Sequence, residues 1–315
     1  MERGSRHLFI VGCPRSGTTW MQLLLAQHPD VVTSQESHLF LTYLRPIMRA
    51  WEKEGELPPG RRRVGLSSVL DRDEFRAACL AFTDAVFEPI IARRPAARLI
   101  VEKSPGHSLV AAQILDILPD ADFLHVIRDP REVVCSLRAA GRSWGMNWAP
   151  DNVTHGARLW SERVKAGLSV AGLTRRYVEV RYEELARDAA GVLARVCDFL
   201  RLPIDADFCR DAADACRIDR LRRPGDGAGL ESPWQLDGEP DGFFRQGRTE
   251  GWRDELTKSE VRRIEHVVSP LMADLGYEPE TAPGRRRPAR LALREGLRWR
   301  LDRLYERCNN WVDRL

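Results

Sequence analysis

Hydrophobic positions along this chain follow two periods. Short runs rich in apolar and β-branched residues, Leu8–Val11, Arg98–Glu102, Asp122–Ile127 and Tyr177–Val180, read as buried strands. Between them lie stretches with helical spacing. One runs from Trp20 to about His28, where Pro29 disfavours helical geometry in the residue before it. Others span Ser37–Trp51, Leu109–Leu118, Pro130–Arg138, Ala157–Thr174, Glu184–Leu200 and Glu260–Leu275. Asp71–Arg93 reads as an amphipathic helix with Phe75, Cys79, Phe82, Val86 and Ile90 on one face. Strands that alternate with helices predict an α/β fold, with a parallel sheet of about four to five strands, right-handed crossovers and helices on both faces.

Polar punctuation separates these elements. Glu52–Ser68 is a Gly/Pro/Arg-rich loop, Gly141–Pro150 (GRSWGMNWAP) an aromatic one, and the glycines and prolines of Asp205–Asp241 predict an irregular insertion with a short helical piece. Residues 1–283 read as one domain. Residues 284–315 differ in kind: Leu297, Leu301, Leu304, Cys308, Trp311 and Leu315 recur in steps of four and three while arginines crowd the other faces. This basic amphipathic C-terminal helix has three readings: packing on its own domain, a homodimer contact, or contact with an acidic membrane surface.

Composition narrows the function classes. With 315 residues and 43% hydrophobic content the chain can bury a sizeable core. Its net charge is +3, but residues 285–315 hold ten Arg against four acidic residues, a surplus of six, which leaves the remainder at −3. The body is therefore not a nucleic-acid surface. Seven scattered cysteines without CxxC spacing predict reduced, buried thiols in a cytoplasmic protein, with no zinc cluster. The apolar run near the N-terminus is too short for a signal peptide or a membrane span.

Chemistry concentrates where strands end. After Leu8–Val11 comes Gly12-Cys13-Pro14-Arg15-Ser16-Gly17-Thr18-Thr19, then a helix. Strand, glycine loop and helix N-terminus form an anion cradle of free backbone N–H groups. The loop almost spells GxxxxGK[ST], with Thr18 in place of the lysine and a cation moved to Arg15. Lys103 and Arg128 follow two further strands, and ligands of open α/β sheets bind at such carboxyl ends. Three cations at strand ends point to a polyanionic ligand.

These residues extend into a pattern. GCPRSGTTW (Gly12–Trp20) resembles the 5′-phosphosulfate loop of sulfotransferases that use 3′-phosphoadenosine 5′-phosphosulfate. FLHVIRDPREVVCS (Phe123–Ser136) resembles their 3′-phosphate element, with Arg128 and Ser136 eight apart. FRQGRTEGW (Phe244–Trp252) is similar to their late RKGxxGxW loop, with Gln246 replacing a lysine, and VEVRYEEL resembles the segment whose tyrosine, here Tyr182, lies near adenine. The resemblance covers most of Leu8–Tyr277 and implies a P-loop-type fold with that nucleotide as co-substrate.

It also implies roles. Backbone amides of Ser16, Gly17, Thr18 and Thr19, with the threonine hydroxyls, would hold the 5′-phosphate, and Trp20 would offer a face to adenine. Arg128, Ser136, Arg245, Gln246 and Gly247 would surround the 3′-phosphate. Arg15 and Lys103 would bear charge developing on the bridging oxygen, so that no metal is required. Glu36, in SQESHLF, falls where tyrosylprotein sulfotransferases place a catalytic glutamate, and His107 and His38 compete with it as base. The implied reaction moves a sulfuryl group to a hydroxyl of a small-molecule, lipid or glycan acceptor. The alternative is a P-loop kinase in which Asp129 imitates a Walker B acid; a non-catalytic scaffold is the third class.

Overall fold

The computed structural model describes residues 6–56, 64–205, 207–222, 240, 242–245 and 247–281. Most of the 205–241 insertion, Gln246 and the helix expected over 284–315 lie outside them. In chain order the elements begin with β1 (Arg6–Gly12), α1 (Thr18–Ala26), β2 (Val31–Thr33), a π-helical turn (Leu39–Leu44), α2 (Arg45–Gly55) and α3 (Arg72–Ile91). They continue with β3 (Leu99–Lys103), a 3₁₀ segment (Pro105–Val110), α4 (Ala111–Ile117), β4 (Asp122–Ile127), α5 (Pro130–Gly141) and α6 (Val153–Ser169). After β5 (Tyr177–Arg181) come α7 (Tyr182–Arg187), α8 (Ala189–Phe199), α9 (Phe208–Ala215), α10 (Ile218–Leu221), α11 (Trp252–Glu255) and α12 (Lys258–Asp274).

The five strands form one parallel sheet in the order β2-β3-β1-β4-β5. β1 is central, so its residues alternate between two dry faces. Leu8 and Ile10 pack with Leu24 of α1 and Leu193 and Val196 of α8, while Phe9 and Val11 pack with Phe40, Phe87, Ile114 and Phe123 on the opposite side. A third cluster, around Trp160 and Trp252, joins α5, α6 and α12 beside the carboxyl end of the sheet. The register pairs Ile10 with Lys103 and Leu124, so β3, β1 and β4 finish nearly level and their exits lie side by side.

Three expectations change. α3 begins as its sequence suggests, with a reciprocal capping box between Asp71 and Glu74, but its core face runs through Thr83 and Phe87, and Phe82 is 44% exposed. Phe87, larger than Val86, fills the space beside His7, 5.4 Å between ring centroids. The single helix expected over Glu184–Leu200 is two: Asp188 leaves helical geometry, and its carboxylate accepts from the Gly191 N–H at 2.8 Å to cap α8. The edge strand β2 follows Pro29 too closely and is too short for periodicity to reveal.

Candidate active site

The loop after β1 is shaped by two glycines. At Gly12 (φ +151°) a Cβ would sit 2.5 Å from the Val126 carbonyl oxygen of β4, and at Gly17 (φ +96°) one would sit 2.5 Å from the Tyr182 ring. No other residue tolerates both the backbone and the approach. Gly17 precedes α1 without a side-chain cap, and no acidic residue occupies the first turn. Those N–H groups are left to an anion. Ser16 is fully buried behind the loop, and its hydroxyl has no partner among the described residues.

A cavity of about 600 Å³ opens over the ends of β1, β3 and β4, a volume usual for small-ligand sites. Arg15, Gly17, Thr18, Thr19, Trp20, Glu36, His38, Lys103, Arg128, Ser136, Tyr182, Arg245 and Gly247 all line it. The three strand-end cations therefore share one crevice.

At one end Arg128 is held from several sides. Its Nη2 donates to Glu132 Oε2 at 3.1 Å and to the Arg248 carbonyl at 2.8 Å, and its Nη1 donates to the Arg15 carbonyl at 3.2 Å. The guanidinium lies 3.9 Å over the Tyr182 ring, and its Nε is buried without a partner among the described residues. The Arg128 carbonyl accepts from Trp160 Nε1 at 2.9 Å, which fixes the strand exit. Burial pushes the Glu132 carboxyl and the Tyr182 hydroxyl upward, and the Arg128 charge partly offsets both. Arg245 reaches Glu255 Oε1 at 2.5 Å, and Gly247 takes φ +67°. Trp20 serves two masters: its indole N–H donates to the Cys216 carbonyl at 2.8 Å while its ring lies 5.8 Å from that of Tyr182.

Arg15 departs from its expected place beside the transferring group. Its Nε donates to Ser136 Oγ at 3.1 Å and its Nη2 to the Phe243 carbonyl, with the guanidinium 4.3 Å over the Phe243 ring. It ties the glycine loop to α5 and to the late loop.

At the other end Lys103 Nζ donates to Glu36 Oε1 at 2.5 Å, and His38 Nε2 stands 3.3 Å from Glu36 Oε2. Beneath this trio lies a hub that sequence reasoning missed. Glu102 Oε1 accepts from Ser37 N at 3.2 Å, Ser37 Oγ at 2.8 Å and Ser104 Oγ at 2.6 Å, and its Oε2 is 2.7 Å from His107 Nδ1. Ser104 Oγ in turn accepts from His38 N at 3.1 Å. Burial alone would raise the Glu102 carboxyl, but the His107 charge and the hydrogen bonds from His107, Ser104 and Ser37 outweigh it and hold it down at about 2. His107, one of the three candidate bases, is wholly buried between the edges of Phe9 and Phe40 and does not line the cavity. Its position two residues beyond a strand-end Lys-Ser-Pro drew attention for reach, whereas its partner is the glutamate one residue before that lysine.

Asp129, the acid that could have served a kinase, is also committed. It caps α5 and forms a bidentate pair with Arg131, 2.7 Å at the nearer oxygen, and it does not line the cavity. Among the described residues no group of three or more His, Cys, Asp or Glu is placed to hold a metal ion.

Known proteins were compared with this chain. The Nodulation protein NoeE of Sinorhizobium fredii is 27% identical over 292 residues, spanning 86% of this chain and 65% of that protein. Protein-tyrosine sulfotransferase 2 of Gallus gallus is 24% identical over 287 residues, spanning 88% of this chain and 70% of its own length. The fold is shared with the mouse sulfotransferase SULT7A1 complexed with PAP (TM-score 0.56, 14% identity, 86% of each chain). A sulfotransferase of Mycobacterium avium is similar too (TM-score 0.50, 17% identity, 89% of this chain and 79% of that one). The sequence model of the Sulfotransferase family matches residues 7–206, and the chain belongs to that family.

Proposed function

We propose that this chain transfers a sulfuryl group from 3′-phosphoadenosine 5′-phosphosulfate to an acceptor hydroxyl. The observation that carries the reading is the joining, in one cavity, of a Glu36–Lys103 pair at one end and the Arg128 and Arg245 cluster at the other. The donor fits what the described residues leave unsatisfied: an uncapped helix start, a buried Arg128 Nε without a partner among them, and arginines paired with Glu132 and Glu255. The α1 N-terminus, Thr18 and Thr19 hold the 5′-phosphate; Arg128, Ser136, Arg245 and Gly247 hold the 3′-phosphate, with Arg15 bracing Ser136. Tyr182 and Trp20 flank the adenine. Gln246, outside the described residues, stands where the family pattern has a lysine.

The nucleotide supplies an activated sulfuryl group. Glu36 takes the proton of the acceptor hydroxyl as its oxygen attacks sulfur, and Lys103 bears the negative charge left on the 5′-phosphate as the sulfur–oxygen bond breaks. In the resting protein these two groups neutralise each other, so Glu36 exchanges Lys103 for the acceptor. His38 orients the carboxylate, and His107 acts from below through Glu102. Relatives named as protein-tyrosine sulfotransferases make a phenolic hydroxyl the first acceptor to try. Six free, buried cysteines among the described residues suit a reducing, cytoplasmic setting, and no helix among those residues is long and apolar enough to cross a membrane.

The test is Glu36→Gln. Turnover, read as added SO₃ by mass spectrometry, falls by about 10²-fold or more, while 3′,5′-bisphosphoadenosine still stabilises the protein against heat as a bound ligand does. Retained turnover in Glu36→Gln, or stabilisation by Mg-ATP alone, overturns the reading.

A further inference from the structure

One cation on the cavity wall takes no part in this scheme. Arg163, on α6, lines the cavity, yet its Nε and Nη1 are shut off from solvent and no described group accepts a hydrogen bond from them. Arg128 and Arg131 nearby in the fold show the usual remedy, a carboxylate within 3.1 Å or less. Two guanidinium nitrogens shut off from water without such a partner are costly, because their lost hydration is not replaced.

Its place is the acceptor side. Arg163 Nη1 is 3.6 Å from where a Gly106 Cβ would stand, and Leu41 Cδ2 is 2.9 Å from the same point, so the guanidinium reaches the wall through the gap that Gly106 leaves. That wall continues from Lys103 through Pro105, whereas Arg128, Ser136 and Arg245 sit at the opposite end. Arg45 feels the same cation: its basicity is lowered by burial first, then by the charges of Arg49 and Arg163, with Glu162 opposing.

The geometry points to an acceptor that carries an anionic group beside its hydroxyl, with Arg163 as the residue that pairs with that anion. This rests on the sulfuryl-transfer reading for the identity of the hydroxyl. The anion would supply the hydrogen-bond partner that no described group provides.

The experiment uses matched probes differing in one charge: 4-hydroxyphenylacetate against 4-hydroxyphenylacetamide, and glucuronate against glucose. Affinities are measured by calorimetry with 3′,5′-bisphosphoadenosine bound. In at least one pair the anion binds roughly tenfold tighter or more. Arg163→Gln brings that ratio to about one, Arg163→Lys keeps part of it, and bisphosphoadenosine binds both variants as it binds the parent. Equal affinity within both pairs, or a preference that survives Arg163→Gln, overturns the inference. So does a loss of bisphosphoadenosine affinity in Arg163→Gln, which would assign the residue to the donor. Should the parent protein fail to bind bisphosphoadenosine, the donor reading falls separately, and the same pairs on the free protein still decide the role of Arg163.

Discussion

Replacing Glu102 by Gln tests the hub beneath the reacting groups. The change keeps the shape and one carbonyl oxygen, so the three hydrogen bonds from Ser37 and Ser104 can persist. What disappears is the charge 2.7 Å from His107, with Glu102 2% exposed and His107 fully enclosed. Removing one member of a buried pair costs about 3–5 kcal/mol. At roughly 2 °C per kcal/mol, the lower end of the range for domains near this size, Tm should fall by about 6–10 °C. Because Ser37 adjoins Glu36, kcat should also fall while bisphosphoadenosine affinity holds. Adding His107→Phe removes the stranded group and places an aromatic ring among Phe9 and Phe40, so the double variant should recover part of the loss. The sign with pH is fixed by the depressed carboxyl. The contribution of Glu102 is whole above its ordinary value of 4.5 and drains away as pH falls toward about 2, so parent and variant converge in acid. Thermal unfolding by circular dichroism across that range, beside steady-state kinetics, reads both effects. A Glu102→Gln protein with unchanged Tm and kcat near neutral pH would refute the reasoning.

Two further outcomes follow from the donor end. Gly17→Ala puts a methyl group 2.5 Å from the Tyr182 ring at φ +96°; it should cost about 1–3 kcal/mol in urea unfolding and weaken bisphosphoadenosine by roughly tenfold as Tyr182 leaves Arg128. Arg128→Met removes a charge that meets Glu132, the Arg248 carbonyl and the Tyr182 ring. Calorimetry should show about 10²-fold weaker bisphosphoadenosine with adenosine 5′-phosphate nearly unaffected, so that discrimination between the two nucleotides vanishes.

The chain announces those parts of its site that are local in sequence. Gly12 to Trp20 specifies strand, turn and helix within a few residues, and Arg128 falls at the end of a run so apolar that only a buried strand suits it. The parallel sheet follows from alternation, and with it the shared exit of β1, β3 and β4. What stays hidden depends on pairs distant along the chain or on a single degree of rotation. Glu102 stands 65 residues from Ser37, so its four-way hub has no linear signature. Glu132 was legible in principle, in the first turn of the helix that begins two residues after Arg128. Arg163 reads as one polar position on an amphipathic helix, and the burial of its Nε and Nη1 beside Gly106, 57 residues earlier, has no local signal. The face of α3 was misjudged by one residue because Phe82 and Val86 satisfy a 3.6-residue period as well as Thr83 and Phe87 do.

Glu36 borrows its position from a strand. Ser37 and His38, the residues just after it, are moored by Glu102 and Ser104 at the end of β3, and from Leu39 onward the backbone turns away into the π-helical turn and α2. Anchor and wall are thus adjacent in sequence: the end of β3 holds the backbone around Glu36, and Leu41, three residues after His38, lines the cavity. Changes in α2, whose residues do not line the cavity, should therefore leave the backbone that carries Glu36 as it stands.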